Sequence, residues 1–155
     1  MATLHLMIGL PCSGKTTLAK RLEQELAAIR FTPDEWHRYL FGQDAEHPEH
    51  TERHSKIESL QWDVAAALLS RGLDVILDFG MWFRAERDDF RNRADNLGAK
   101  TVIHFLDVPH EELFRRLDER NKKDTMSVTY IPPAMLEEWL DLFEPPGKEE
   151  LKQGG

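Results

Sequence analysis

The chain has 155 residues and a mass of 18.0 kDa, the size of one ordinary domain. Its 28 acidic and 20 basic residues give a formal net charge of −8, which disfavours a dedicated binder of nucleic acid or anionic membranes. The single cysteine, Cys12, excludes a disulfide framework and any zinc site built from several cysteines. There is no apolar run of about 20 residues and no basic signal-peptide start in residues 1–8, so we expect a soluble, cytoplasmic protein without a membrane partner.

The first half of the chain predicts two strands and three helices. Strands are predicted where apolar residues alternate or run together, and helices where they recur every three or four positions. In chain order these elements are a strand at residues 3–8, a helix through 18–26, a strand at 28–31, a helix that begins after Thr32, and a helix through 57–68 that ends at Gly72. Thr32, Pro33 and Glu35 together predict a capping box at the start of the second helix.

The second half predicts two more strands and three more helices. In chain order they are a strand at residues 73–77 followed by Asp78, a helix through 90–97 stopped at Gly98, a strand at 101–106, a helix through 113–117 and a last helix at 133–143. Because strands alternate with helices, we expect right-handed βαβ units and a three-layer α/β/α fold whose mainly parallel sheet has at least four strands. We expect one domain over residues 1–145 and a polar, frayed tail over 146–155.

Residues 9–16 match the phosphate-loop pattern G-x-x-x-x-G-K-[ST]. The glycines allow the backbone to turn its N–H groups toward an anion, and the helix that follows adds its positive end. Lys15 is expected to reach the β- and γ-phosphate oxygens, and the Thr16 hydroxyl to ligate Mg²⁺. A chance glycine turn is disfavoured by the strand before the loop and the helix after it. Cys12 is either a small filler or a redox-sensitive thiol. The predicted nucleotide-binding residues of this segment are Gly9, Pro11, Cys12, Ser13, Gly14, Lys15, Thr16 and Thr17.

Asp34 is the residue that favours a kinase over a signalling nucleotide switch. The glycine spacing after the second acidic strand end is not that of such a switch. A kinase needs a base beside the acceptor hydroxyl and positive charge over the transferring phosphoryl group. Asp34 follows a predicted strand and is a candidate base; alternatively, it is a first-turn carboxylate that complements the helix dipole. Three nearby aromatic residues predict either an acceptor pocket or core: Trp36, Tyr39 and Phe41.

Asp78 follows an apolar stretch, in the position of a Walker-B-type carboxylate. It is expected to hold Mg²⁺ through water or to bind a substrate group, unless it is only a strand-end turn former. Because the carboxyl ends of parallel strands meet at one edge of a sheet, we expect the phosphate loop, Asp34 and Asp78 to lie together.

Two arginines four residues apart, Arg116 and Arg120, predict a basic face on one helix. With the polar segment at 121–129 they predict a lid over about residues 118–131 that closes on the triphosphate. The alternative is a solvated face paired with Glu112 and Asp118.

Three histidines, His47, His50 and His54, have spacings of three and four that can converge on one side of a helix. Because Pro48 is expected to break the start of that helix, a solvated acidic face is favoured over a metal site.

The chain resembles the polynucleotide-kinase-like and zeta-toxin-like branch of small, AAA-type ATP-binding P-loop kinases over most of residues 2–121. Four ordered segments carry the resemblance: the glycine-rich loop, Asp34-Glu35-Trp36, the strand before Asp78, and Asp107-Val108-Pro109 followed by Glu112-Leu113, Arg116 and Arg120. The resemblance implies a sheet order of 2-3-1-4, ATP as phosphoryl donor and Asp34 as general base. It also implies that Arg116 and Arg120 are catalytic residues that contact the ATP phosphates from the lid, and Arg120 is assigned to nucleotide binding as well.

The acceptor is the least determined part of this resemblance. Polynucleotide kinases carry an arginine for the substrate's 3′-phosphate where this chain has His37, with Arg38 one place later, and no phosphatase domain follows in this sequence. The same branch is similar to kinases of gluconate, antibiotics and nucleotide sugars. We therefore expect the hydroxyl of an unidentified small molecule, bound by Asp34, Arg38 and Asp78. A 5′-hydroxyl polynucleotide kinase and a nucleotide-binding module with little transfer activity are the alternatives. The sequence does not predict the oligomeric state.

Overall fold

Four parallel strands form one sheet in the computed structural model, which describes residues 1–42, 47–123 and 130–152. The order is β2-β3-β1-β4, so the expected order is confirmed. In register, Leu4 of β1 pairs with Val75 of β3 and with Thr101 of β4. The strands are β1 Thr3–Ile8, β2 Ile29–Phe31, β3 Val75–Gly80 and β4 Lys100–Phe105.

Seven helices lie within the described ranges, and the predicted three-layer α/β/α class is confirmed. None of these helices is both long enough and apolar enough to cross a membrane. The helices are α1 Lys15–Leu26, α2 Pro33–Phe41, α3 His50–Ser70, α4 Arg84–Asn96, α5 His110–Asn121, α6 Pro133–Leu142 and α7 Lys148–Leu151.

The core lies on both faces of the sheet because successive strand residues point to opposite sides. On one face, Leu4 and Leu6 of β1 pack in a cluster with Ala65 of α3 and Ala94 of α4. On the other face, Met7 of β1 packs in a cluster that includes residues of α1. A third cluster joins α5 and α6 beside the phosphate loop. These layers fix the carboxyl ends of the strands, where the chemistry was predicted.

Two local predictions near this edge are wrong. Strand β3 continues through Asp78 to Gly80, so Asp78 lies inside a strand and not after it. Thr32 precedes α2 as expected, but its hydroxyl makes no cap; it donates to Asp78 Oδ2 at 3.0 Å and accepts from Arg30. Glu35 likewise binds Arg30, at 2.6 Å. The capping box is lost because charged partners brought by the fold compete for both side chains.

The predicted frayed tail is also wrong for residues 148–151, which form α7. Glu150 is 7% exposed and accepts a 2.8 Å hydrogen bond from Arg87 Nε, whose side chain is buried as well. Arg87 also donates to the Met81 carbonyl at 2.9 Å, so this pair anchors the chain end beneath the carboxyl end of β3. The last three residues, 153–155, lie outside the described residues.

Glu150→Ala is expected to lower the free energy of unfolding by about 3–5 kcal/mol, because it leaves the buried Arg87 charge unpaired. Urea denaturation of parent and variant measures the difference. Glu149→Ala is the matched control, since Glu149 is an exposed neighbour that pairs with Arg84, and it should change stability little. Equal stabilities of the two variants would contradict the anchoring role of α7.

A histidine pair on adjacent strands predicts an acid-sensitive fold. His5 Nδ1 and His104 Nε2 lie 3.0 Å apart. Burial, and then the neighbouring His5, lower the pKa of His104 to about 4. The unfolded chain, with a histidine pKa near 6.5, therefore binds more protons between pH 6.5 and 4, and stability should fall as the pH is lowered through that range. His104→Gln should flatten this slope in pH-dependent denaturation curves, whereas the exposed His110→Gln should not.

Candidate functional site

The phosphate loop joins β1 to α1 at the carboxyl edge of the sheet. Cys12 and Gly14 have φ angles of 71° and 92°, both in the left-handed region. The turn is closed by hydrogen bonds from Ser13 N to the Leu10 carbonyl and from Leu18 N to the Gly14 carbonyl. A cysteine in the left-handed region is strained, and such strain is common where a loop is shaped for a ligand. A turn of this kind can present successive N–H groups to an anion.

Gly80, at the end of β3, supports the loop from below. Its φ is 88°, and a side chain there would place a Cβ 3.2 Å from both the Gly9 carbonyl oxygen and Trp82 Nε1. Gly9 N also donates to the Gly80 carbonyl at 3.1 Å. Only glycine fits this close approach, which the sequence analysis did not anticipate.

Asp78 lies beneath the loop and contacts its two functional side chains. It is 2% exposed. Its Oδ2 accepts a 2.6 Å hydrogen bond from Thr16, and Lys15 Nζ is 3.5 Å from its Oδ1. Oδ1 is buried without a hydrogen-bond partner among the described residues. Hydroxyl and carboxylate oxygens are the ligands that Mg²⁺ prefers, so Thr16 and Asp78 fit the predicted ion.

A cleft of about 680 Å³ opens over the loop. It is lined by predicted residues from distant parts of the chain: Pro11, Cys12, Gly14, Lys15, Thr16, Thr17, Asp34 and Arg120. Other predicted residues do not line it: Gly9, Ser13, Arg38, Asp78 and Arg116. The fold therefore brings the candidate base, the phosphate-loop lysine and one lid arginine to a single space.

Asp34, the second residue of α2, lines this cleft. The walls of the cleft desolvate the carboxylate, which by itself would raise its pKa. The positive charges of Lys15, His54, Arg38 and Arg120 more than offset this, so the pKa of Asp34 lies below its ordinary value. Asp34 is therefore ionised near neutral pH and able to accept a proton.

The two predicted lid arginines differ. Arg116 Nη1 donates to the Cys12 carbonyl at 3.0 Å and its Nε to Glu112, so this side chain braces the phosphate loop. Arg120 lines the cleft, and its Nε is buried without a hydrogen-bond partner among the described residues. The contact of Arg116 with the loop backbone could not be read from the spacing of the two arginines.

Of the predicted lid at 118–131, residues 124–129 lie outside the described residues. The two flanks are joined, because the Asn121 side chain donates to the Ile131 carbonyl at 2.7 Å and accepts from Ile131 N at 3.2 Å.

Two further carboxylates, Glu58 and Glu86, line the cleft and were missed by sequence reasoning. Burial, and then the charges of Glu86 and Asp34, raise the pKa of Glu58 to about 7. Burial also raises the pKa of Glu86. Because the charged carboxylate is disfavoured at both positions, this part of the cleft suits a neutral hydrogen-bonding group or a cation. The sequence offered one indication of Glu58: it lies four residues after His54 and therefore on the same face of the helix.

The aromatic lining of the cleft also differs from the residues considered in sequence. Phe79, Trp82 and Trp139 line the cleft, and the two tryptophan rings lie 5.4 Å apart between centroids. The residues considered earlier lie elsewhere: Trp36 packs against the core, Tyr39 is 90% exposed and Phe41 lies under the Arg53 guanidinium.

The expectation of a solvated histidine face is wrong. His50 and His54 of α3 are half-buried against His37 of α2, a residue not considered for this cluster. His47 stands apart, with its ring accepting a hydrogen bond from Glu49 N at 3.1 Å. Burial, and then the charges of the neighbouring histidines, lower the pKa of His37 to about 4. Burial also lowers the pKa of His54, against the opposing effect of Asp34.

The sequence matches the model of a family described as an AAA domain over residues 4–146. No curated protein matches the chain. A crystal structure from Chloroflexus aurantiacus is similar with a TM-score of 0.74 and 21% identity over 99% of this chain and 84% of that one. A sugar kinase from a Janibacter species has a TM-score of 0.71 and 20% identity, covering 97% and 82%. A chain of the Pnkp1/Rnl/Hen1 RNA repair complex has a TM-score of 0.74 and 24% identity; the match covers 99% of this chain and 50% of that one.

Proposed function

Because the chain belongs to this AAA-domain family of P-loop, kinase-like proteins, we propose that it is an ATP-dependent kinase that transfers the γ-phosphoryl group to a hydroxyl of a small molecule. One observation carries the proposal: Asp34 shares the cleft with Lys15 and Arg120, whose charges lower its pKa. A phosphate-binding loop alone indicates only nucleotide binding. An ionised carboxylate in the same cleft adds the proton acceptor that transfer to a hydroxyl requires.

In the proposed reaction, Asp34 orients the acceptor hydroxyl and takes its proton. The hydroxyl oxygen forms a bond to the γ-phosphorus of ATP while the bond from that phosphorus to the β–γ bridging oxygen breaks, which leaves ADP and the phosphorylated acceptor. Lys15 and the loop N–H groups hold the β- and γ-phosphates, and Arg120 stabilises the charge that develops on their oxygens.

Thr16 and Asp78 would hold Mg²⁺. When bound, the ion would neutralise negative charge on the phosphates of ATP. The hydrogen bond from Thr16 to Asp78 directs the hydroxyl proton away from the loop, and it leaves the oxygen lone pairs available to a cation. Asp78 is buried under the loop and does not line the cleft, which supports a role with the metal over contact with the acceptor.

The cleft walls favour a neutral or amine-bearing polyhydroxyl acceptor. Asp34, Glu58 and Glu86 can form hydrogen bonds with several hydroxyl or amino groups of an acceptor. Trp82 and Trp139 add flat apolar surface, as is usual in small-molecule sites.

The test is to incubate the protein with γ-labelled ATP, Mg²⁺ and a panel of sugars, polyols, amino sugars and 5′-hydroxyl oligonucleotides, and to identify the labelled product. Lys15→Ala serves as the control for a contaminating kinase. We expect label in a polyhydroxyl compound with the parent and none with Lys15→Ala. Equal labelling by both proteins would contradict the proposal.

A 5′-hydroxyl oligonucleotide is the second candidate, favoured by the Asp34-Glu35-Trp36 segment and its resemblance to polynucleotide kinases. The salt dependence of the acceptor KM distinguishes the two candidate acceptors. Raising the salt concentration from about 50 to 200 mM should change the KM of a compact acceptor little, whereas an acceptor held by six or more phosphate contacts would lose about 10³-fold or more in affinity.

A further inference from the structure

We propose that His37, His50 and His54 form a binding site for a divalent transition-metal ion of the zinc class, on the Asp34 side of the cleft. One ligand nitrogen from each histidine lies within 4.8 Å of the others. The site is separate from the Mg²⁺ ligands Thr16 and Asp78, and the inference does not depend on phosphoryl transfer.

Two helices build the cluster. His50 and His54 are four residues apart on α3 and therefore share one face, while His37 comes from α2. The His37 ring centroid lies 4.2 Å from that of His50 and 6.1 Å from that of His54. Zn–N bonds of about 2.0–2.1 Å in a tetrahedral site place ligand nitrogens about 3.4 Å apart. Nitrogens as far apart as 4.8 Å would have to approach by about 1.4 Å, through rotation of the imidazoles, to reach that spacing.

The hydrogen bonding of the cluster is incomplete in a way that points to a ligand. The Nδ1 atoms of all three histidines are buried without a hydrogen-bond partner within the described ranges. His37 is only 4% exposed, so solvent does not compensate. Buried polar atoms are nearly always paired, so three unpaired nitrogens in one histidine cluster call for an explanation. A shared cation would satisfy all three at once.

The donor chemistry selects the ion. Neutral imidazole nitrogens prefer Zn²⁺, Co²⁺, Ni²⁺ or Cu²⁺, whereas Mg²⁺ prefers oxygen ligands. Three protein ligands leave one tetrahedral position, and His50 and His54 line the cleft, so that position faces the cleft or Asp34. Asp34 Oδ1 is 3.9 Å from His54 Nδ1, and Glu58 Oε2 is 3.9 Å from His54 Nε2. At 3.9 Å Glu58 is beyond hydrogen-bond distance, but a small approach would let it orient a metal-bound His54.

The experiment measures binding directly. Chelator-treated protein in excess Mg²⁺ is titrated with Zn²⁺ by calorimetry and with Co²⁺ by visible absorption, which reports nitrogen ligation in a tetrahedral site. We expect one ion per chain. His50→Gln should weaken Zn²⁺ binding by about 100-fold, at or above the cost of losing an outer-shell partner. Zn²⁺ should raise the melting temperature of the parent and not that of His50→Gln, and the two should melt alike without metal.

Three matched variants localise the ion. His47→Gln lies on the same segment but outside the cluster, and His104→Gln removes the other close histidine pair; both should bind Zn²⁺ as the parent does. Lys15→Ala should also bind Zn²⁺, because Lys15 is not one of the three ligands. The binding measurement contains no ATP, so failure of the proposed kinase activity would not change its outcome. Absence of binding to the parent, unchanged binding by His50→Gln, or loss of binding in His104→Gln would overturn the proposal.

Discussion

Asp34→Asn should lower the rate of phosphoryl transfer by about 10²–10⁴-fold, the usual contribution of a general base. Asparagine keeps the size of the side chain but cannot accept the hydroxyl proton. Asp34 lines the cleft but is not part of the phosphate loop, so ATP affinity should stay near the parental value. Single-turnover transfer from labelled ATP and equilibrium ATP binding measure the two quantities separately.

Glu35→Gln is the matched control for that variant. It neutralises the adjacent carboxylate, which binds Arg30 instead of lining the cleft. Its transfer rate should remain close to that of the parent. If Asp34→Asn transferred phosphate at the parental rate, Asp34 would not be the base and would only complement the helix dipole. A nucleotide-binding module would be the better description only if the parent itself transferred little phosphate to any acceptor.

The fold was largely predictable because its signals are local. Alternation in β1, leucine spacing in α1 and the glycines that end α3 and α4 each act within a few residues. The errors arise where a distant residue decides the local structure. Asp78 stays inside β3 because Thr16 and Thr32 donate to it within the core. The tail folds as α7 because Glu150 pairs with the buried guanidinium of Arg87, which lies 63 residues earlier in the chain.

The candidate site also has a part that local sequence predicts and a part that depends on distant residues. The phosphate loop is one continuous segment whose pattern carries its function, so the sequence was sufficient to locate it. The rest of the cleft is lined by side chains such as Glu58, Glu86 and Trp139, which come from three helices. The histidine cluster was misread for the same reason: its buried member, His37, lies on a different helix from His50 and His54.

Arg120→Ala should slow phosphoryl transfer by about 10²–10³-fold, the usual cost of removing one donor that stabilises developing charge. Arg120 lines the cleft and its Nε has no hydrogen-bond partner among the described residues, so the guanidinium is available to phosphate oxygens. The loss should fall mainly on the transfer step, because negative charge on those oxygens changes most in the transition state. Single-turnover rates at saturating ATP measure this effect.

Arg116→Ala is the informative comparison, since the sequence alone gives the two arginines the same role. Arg116 donates to the Cys12 carbonyl, so its loss should loosen the phosphate loop and weaken ATP binding before it slows transfer. We therefore expect a raised dissociation constant for ATP in Arg116→Ala and a lowered transfer rate in Arg120→Ala. The substitution Arg116→Lys should retain part of the ATP binding that Arg116→Ala loses, because an ammonium can still donate to the carbonyl, although it lacks the planar fork. If the effects were exchanged, Arg116 would be the residue that leaves Cys12 to reach the phosphates, and Arg120 would be part of the solvated face of α5.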